Sequence, residues 1–85
     1  MAQSNRGPEK VFRIGFVSAS VFAQEVDTDG GKRTIRHVNV QKRYKDGEEY
    51  KYTSSLGLAE LPQALRVLTL ATAWVESKEA EFELP

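Results

Sequence analysis

Val11-Phe12-Arg13-Ile14-Gly15-Phe16-Val17-Ser18-Ala19-Ser20-Val21-Phe22-Ala23-Gln24 is the stretch whose reading decides the fold. It is dense in strand-forming residues, with Phe12, Ile14 and Phe16 on one parity and Val17, Ala19, Val21 and Ala23 on the other. A strand turns to its opposite face at every residue, so the switch between Phe16 and Val17 requires a bend, a bulge or a break. Gly15 is a permissive place for it. The stretch reads as two strands or one strongly bent strand.

Working toward the C-terminus, Val26 to Gly31 (V-D-T-D-G-G) is a turn, because Asp and Gly tolerate the positive φ of tight hairpins. The next strand runs from about Lys32 to Lys45. Its odd positions His37, Asn39, Gln41 and Arg43 are polar, while Val38 and Val40 lie on the alternate face. Asp46-Gly47 marks a second hairpin, leading into a strand over Tyr50 to Leu56. A two-residue turn would set Tyr50 opposite Arg43 and Tyr52 opposite Gln41 on the polar face. A three-residue turn would instead bring Lys51 opposite Arg43 and turn both tyrosines inward. The sequence leaves both open.

Gly57 ends the sheet, and Glu60-Leu61-Pro62 opens a helix that runs to about Lys78, with proline tolerated in the first turn. Leu61, Leu65, Leu68, Thr72 and Val75 follow the rhythm of a buried stripe, and Ala64, Val67, Ala71 and Trp74 form a second stripe, which Leu70 and Ala73 widen. That arc is wider than a helix covering one small sheet needs. The excess calls for a partner, and a second copy is the simplest. Leu61, Leu65, Leu68, Leu70 and Trp74 are the expected interface.

At 85 residues there is room for one core, which makes help from oligomerisation plausible on size alone. The expected organisation is a polar N-terminal arm (1–10), a single α+β domain (11–78) and an acidic tail (79–85) that reads as a frayed end. The arm has no apolar run of the signal-peptide type, and the stretch Leu61 to Val75 is too short and too interrupted to span a bilayer. A cytoplasmic protein is therefore expected, associated with the nucleoid if it binds DNA.

The absence of cysteine and the single histidine, His37, exclude disulfide frameworks, thiolate zinc sites, Cys-His nucleophiles and multi-histidine metal centres. Gly30-Gly31 is too short for a phosphate loop, and the hairpin acids lack the spacing of a calcium loop. No nucleophile elbow accompanies His37. The chain reads as non-enzymatic, with no cofactor, no metal and no small-molecule substrate.

Twelve basic and twelve acidic residues balance, but unevenly along the chain: Lys32 to Lys45 holds six basic residues and no acid. Such asymmetry suggests a local anion-binding face. If Val17, Ala19 and Val21 point inward, then Ser18, Ser20 and Phe22 point outward beside the row His37, Asn39, Gln41 and Arg43. Binders of single strands combine cations that track phosphates with rings on which bases stack. Phe22, Tyr44, Tyr50 and Tyr52 are the candidate rings. Lys32, Arg33, Arg36, Lys42, Arg43, Lys45 and Lys51 are the candidate phosphate contacts, the amides Asn39 and Gln41 the candidate base contacts, and His37 a ligand-facing member of the same row. The plain alternative is a solvated sheet face whose lysines guard against edge pairing, in a protein-interaction or assembly module that works through its apolar helix.

Phe12-Arg13-Ile14-Gly15, Val17-Ser18 through Val21-Phe22, the long basic strand, the hairpin Tyr44-Lys45-Asp46-Gly47-Glu48-Glu49-Tyr50-Lys51 and one closing helix occur in an order that resembles the family of positive cofactor four. These are single-stranded DNA-binding transcriptional coactivators, related in architecture to the plant Whirly proteins. The resemblance covers about Val11 to Ser77. It implies a four-stranded antiparallel sheet followed by one helix, dimerising through the helices so that two sheets form a channel for single strands. It also implies stacking by Phe22 and Tyr44 and backbone contacts by Lys45 and Lys51. Asp46, Glu48 and Glu49 dilute the family's lysine-rich hairpin, and the serine-rich acidic arm of its eukaryotic members has no counterpart. A bacterial or phage-type accessory protein of transcription or replication is the nearer analogy, and no coactivator role carries over.

Overall fold

The computed structural model describes residues 7–79. Strands β1 (Lys10–Ile14), β2 (Val17–Thr28), β3 (Gly31–Asp46) and β4 (Glu49–Thr53) form one antiparallel sheet in chain order, and α1 (Leu61–Glu79) packs across one side of it. The fold is α+β, ββββα. The acidic tail beyond Glu79 and the arm before Gly7 lie outside the described residues.

Ile14 pairs with Val17, Thr28 with Gly31 and Asp46 with Glu49, so each hairpin closes over a two-residue turn. Paired residues then differ by an odd number. An inward row on even positions in one strand must continue on odd positions in the next. This resolves the parity switch at Phe16 as a hairpin rather than a bulge, and it takes Phe16 out of the inward row altogether. Gly15 has φ 62° and, among the described residues, no non-glycine residue has positive φ, the order of a type II′ turn, whose twist suits antiparallel strands. A Cβ on Gly15 would also meet the Gln63 side chain at 3.3 Å.

The third hairpin turns through Gly47-Glu48, not Asp46-Gly47, because Gly47 takes the positive φ (69°) at the first turn position. Tyr50 therefore stands opposite Lys45 and Tyr52 opposite Arg43, both on the polar row. β4 stops at Thr53, short of Leu56, where the Thr53 hydroxyl accepts the Ser55 N–H at 3.0 Å and turns the chain. Glu60 starts the helix: its carbonyl accepts the Ala64 N–H at 2.9 Å, while its carboxylate reaches back to the Gly57 N–H at 2.7 Å.

Val17, Ala19 and Val21 of β2 and Val67 and Ala71 of α1 are fully buried, ringed by Phe12, Ile14, Val38, Val40, Ala64, Trp74 and Val75. The buried stripe of the helix is thus the Ala64, Val67, Ala71, Trp74 row. The leucine row expected to be buried is not: Leu61, Leu65 and Leu68 are exposed, Leu65 by 67 %. Small residues on both helix and sheet let the backbones approach closely there, and ion pairs at both helix ends, Lys42–Glu60 (3.4 Å) and Arg36–Glu79 (3.5 Å), fix its rotation. Trp74 lies toward β1, its ring under the Lys10 and Lys78 ammonium groups at 5.3 and 4.6 Å. Glu79 stands five helical turns above Leu61 on the same line of the helix and reaches Arg36 of β3. The leucine ridge therefore looks out over β3, where Val38 and Val40 are only half covered.

Candidate nucleic-acid interface

Pairing register fixes which side chains share the sheet face that α1 leaves open. Ser18, Ser20 and Phe22 of β2 stand opposite Gln41, Asn39 and His37 of β3, as the alternation in the sequence predicts. Arg33, Arg43 and Lys45 continue the same β3 row, Tyr50 and Tyr52 join it from β4, and Val11 and Arg13 from β1. No aspartate or glutamate in any of the four strands falls on this face. All strand carboxylates lie on the helix side.

The two faces also differ in how their cations are answered. On the helix side Lys32 pairs with Asp27 (3.4 Å), Lys42 with Glu60 (3.4 Å) and Lys51 with Asp46 (3.0 Å). Arg36 grips Glu9 with two hydrogen bonds, 2.8 Å from Nε and 3.1 Å from Nη2, and reaches Glu79 at 3.5 Å. Among the described residues, Arg13, Arg33, Arg43 and Lys45 on the open face have no carboxylate partner.

Aromatic rings on the open face fall into two groups. Phe22 and His37 stack as a cross-strand pair, ring centroids 5.8 Å apart and planes 19° from parallel. Further along β3 the Arg43 guanidinium carbon lies 4.7 Å from the Tyr50 centroid and 5.8 Å from that of Phe16, with the Lys45 ammonium 5.7 Å from Tyr50. A guanidinium held against a ring is positioned without losing its outward N–H groups. Tyr50 and Tyr52 are more than half exposed, Tyr50 with Arg43 and Lys45 over its ring. Ser18 is nearly buried on this face, flanked in the register by the longer Arg13 and Gln41.

Of the residues predicted from sequence, Phe22, Arg33, His37, Gln41, Arg43, Lys45, Tyr50 and Tyr52 come together on the open face. Lys32, Arg36, Lys42 and Lys51 do not: even positions of β3 and odd positions of β4 point to the helix side. Tyr44 shares that parity and sits, partly exposed, at the end of the sheet, on the other face from Phe22. Two contributors escaped the sequence reading, Arg13 and Phe16. The parity switch contains the signal for both, since a two-residue turn at Gly15-Phe16 sends Arg13 outward and leaves Phe16 exposed.

Charge states agree with this division. The Arg36 guanidinium holds the Glu9 carboxyl below the usual carboxylate range and is itself raised in return. Trp74 Nε1 is buried without a well-formed hydrogen bond, yet it is close enough to Glu9 to favour the charged form slightly. Glu60 is held low by the Gly57 N–H first and by Lys42 second. These groups are structural.

Among the described residues no three of His, Asp and Glu gather as metal ligands, and no helix is long and apolar enough to cross a membrane. No protein-family model matches the chain, and no curated protein or solved structure is significantly similar to it.

Proposed function

We propose that the chain binds single-stranded nucleic acid, DNA in the first instance, as a homodimer and through the open sheet face. The observation that carries this reading is the charge census of that face. It holds Arg13, Arg33, His37, Arg43 and Lys45 and no strand carboxylate, in a protein whose formal net charge is zero. Cations kept only for solubility need no such segregation. From Arg33 to Lys45 the β3 row extends roughly 40 Å at the rise of an extended strand, long enough for several nucleotides. Phosphates are captured by the unpaired cations, and unstacked bases lie on Phe22, Tyr50 and Tyr52. A duplex hides its base faces and gains nothing from these rings. Asn39 and Gln41 offer amides to base edges without enforcing a sequence.

The homodimer is formed by the Leu61, Leu65, Leu68 ridge. A second copy laid on the ridge and on the half-covered Val38 and Val40 enlarges a core that, among the described residues, has only five fully buried hydrophobic residues of its own. Leu70 and Trp74, also expected at the interface, are half-buried against their own subunit.

Fluorescence anisotropy with oligo-dT across a salt series is the test. Four unpaired cations at about 0.7 released counterions each give a slope of log K against log salt near −3 per subunit. No binding at low salt, or binding indifferent to salt, refutes the reading. Light scattering should report a dimer that Leu65→Glu converts to a folded monomer. The exposed leucine ridge equally favours an assembly module in which the open face has no ligand. That reading predicts partner capture by the ridge and no functional consequence of Phe22→Ala or Arg43→Ala.

A further inference from the structure

β3 outlasts β2. The last β2–β3 ladder pair is Val17 with Lys42, after which the chain of β2 has already turned back through Phe16 and Gly15, while β3 continues to Asp46. The Arg43 N–H still finds the Phe16 carbonyl at 2.9 Å. Lys45, two residues on and of the same backbone orientation, then faces an edge where β2 no longer runs. Beside that edge is a notch of about 390 Å³, within the usual range of small-ligand sites, lined by Phe16, Arg43, Tyr44, Lys45, Tyr50 and, at its far side, Glu60.

Three features of the notch specify an occupant. Its uncompensated charges are Arg43 and Lys45, both carried by the open face, and the Arg43 guanidinium lies against the rings of Tyr50 and Phe16. Phe16 is 60 % exposed although it makes no part of the core, so it presents an apolar plane directly beside the guanidinium. Lys42 and Glu60 also line the notch but answer each other at 3.4 Å, so they leave the charge of Arg43 and Lys45 uncompensated. Two uncompensated cations beside a flat apolar wall suit a planar group that carries a doubly charged phosphate. A terminal phosphate monoester carries about −1.5 to −2 at pH 7, against −1 for an internal diester.

We propose that this notch receives the phosphorylated end of a single strand, with the terminal phosphate on Arg43 and Lys45 and the last base against Phe16. The inference rests on the open face being a nucleic-acid interface, because the strand must arrive along that face. The protein then holds strand ends in preference to strand interiors.

Competition anisotropy on the full chain tests this with four oligo-dT probes of equal length: 5′-phosphorylated, 3′-phosphorylated, hydroxyl-ended and covalently circular. One of the phosphorylated probes should bind about tenfold more tightly than the hydroxyl-ended and circular ones. Phe16→Ala, at an exposed turn position, should bring the affinity for the phosphorylated probe down to that for the circle, so that the ratio between the two falls to about one. Equal binding of all four probes overturns the end-binding inference and leaves the open-face reading intact. So does a preference that survives Phe16→Ala. Failure of every probe to bind overturns both.

Discussion

β3 carries two rows of basic side chains that differ only in parity, and the contrast between them is the most instructive feature of the molecule. Lys32, Arg36 and Lys42 turn to the helix side, and each meets a carboxylate from β2, the N-terminal segment or the helix. Arg33, Arg43 and Lys45 turn to the open side and meet none among the described residues. One row fastens the fold, holding down both ends of α1. The other is left uncompensated. The charge run that stands out in the sequence is thus two populations, one ion-paired and one not, interleaved residue by residue. A composition count averages them to nothing.

The largest effect expected from breaking this contrast comes from putting a carboxylate where none exists. On the proposed nucleic-acid reading, Arg43→Glu removes a charge-assisted contact and sets an acid among the phosphates. A contact of that kind contributes about 1.5–3 kcal/mol, so affinity for oligo-dT should fall by roughly tenfold to a hundredfold or more. The matched change on the other row, Arg36→Gln, should leave affinity and salt slope within error and lower the melting temperature instead. If both changes weaken binding equally, the two rows are not functionally distinct.

Phe22→Ala should have a smaller effect of a different kind. Loss of one stacking ring costs about 1–3 kcal/mol per base. Because the ring is uncharged, the salt slope should stay as it was while the intercept drops. A change in slope would mean that Phe22 acts only by positioning the neighbouring cations. His37, stacked on Phe22 at 5.8 Å, loses its ring partner in this variant, which makes the pair and not the single ring the unit being tested.

Much of this was legible in the sequence because the side-chain period of a strand is two and the turns are short. The outward placement of Phe22 with His37, Asn39, Gln41 and Arg43 followed from the valine rows alone. What stayed hidden was decided by single-residue choices. Whether the third turn used Asp46-Gly47 or Gly47-Glu48 shifts every β3–β4 partner, and only the positive φ of Gly47 settles it. Lys32, Arg36 and Lys42 were indistinguishable from their odd-numbered neighbours as members of a basic run, since their partners lie far along the chain at Glu9, Glu60 and Glu79 or across a hairpin at Asp27. The helix showed two apolar stripes of equal rhythm, and periodicity cannot say which one the sheet will take. Close approach favoured the alanine row, leaving the leucines outside.

The smallest of these effects lies on the helix side and concerns pH. Arg36 and Glu9 form a two-point ion pair in which the Arg36 side chain is only 14 % exposed, so it belongs at the upper end of what partly exposed pairs contribute, about 1 kcal/mol. Glu9→Gln should accordingly lower the melting temperature at neutral pH by roughly 5 °C for a domain of this size. The Glu9 carboxyl titrates below its usual value of 4.5 in the folded chain, so the unfolded state takes up its proton first as pH falls. The stabilisation is therefore complete above the unfolded value and is lost as pH drops through the lower folded one. The wild-type and Glu9→Gln melting curves should converge in acid, whereas oligo-dT binding at neutral pH should be the same for both. A melting difference that persists in acid would mean that Glu9 acts through packing against Trp74 and not through its charge. Weakened oligo-dT binding by Glu9→Gln would mean that the two faces of β3 are coupled after all.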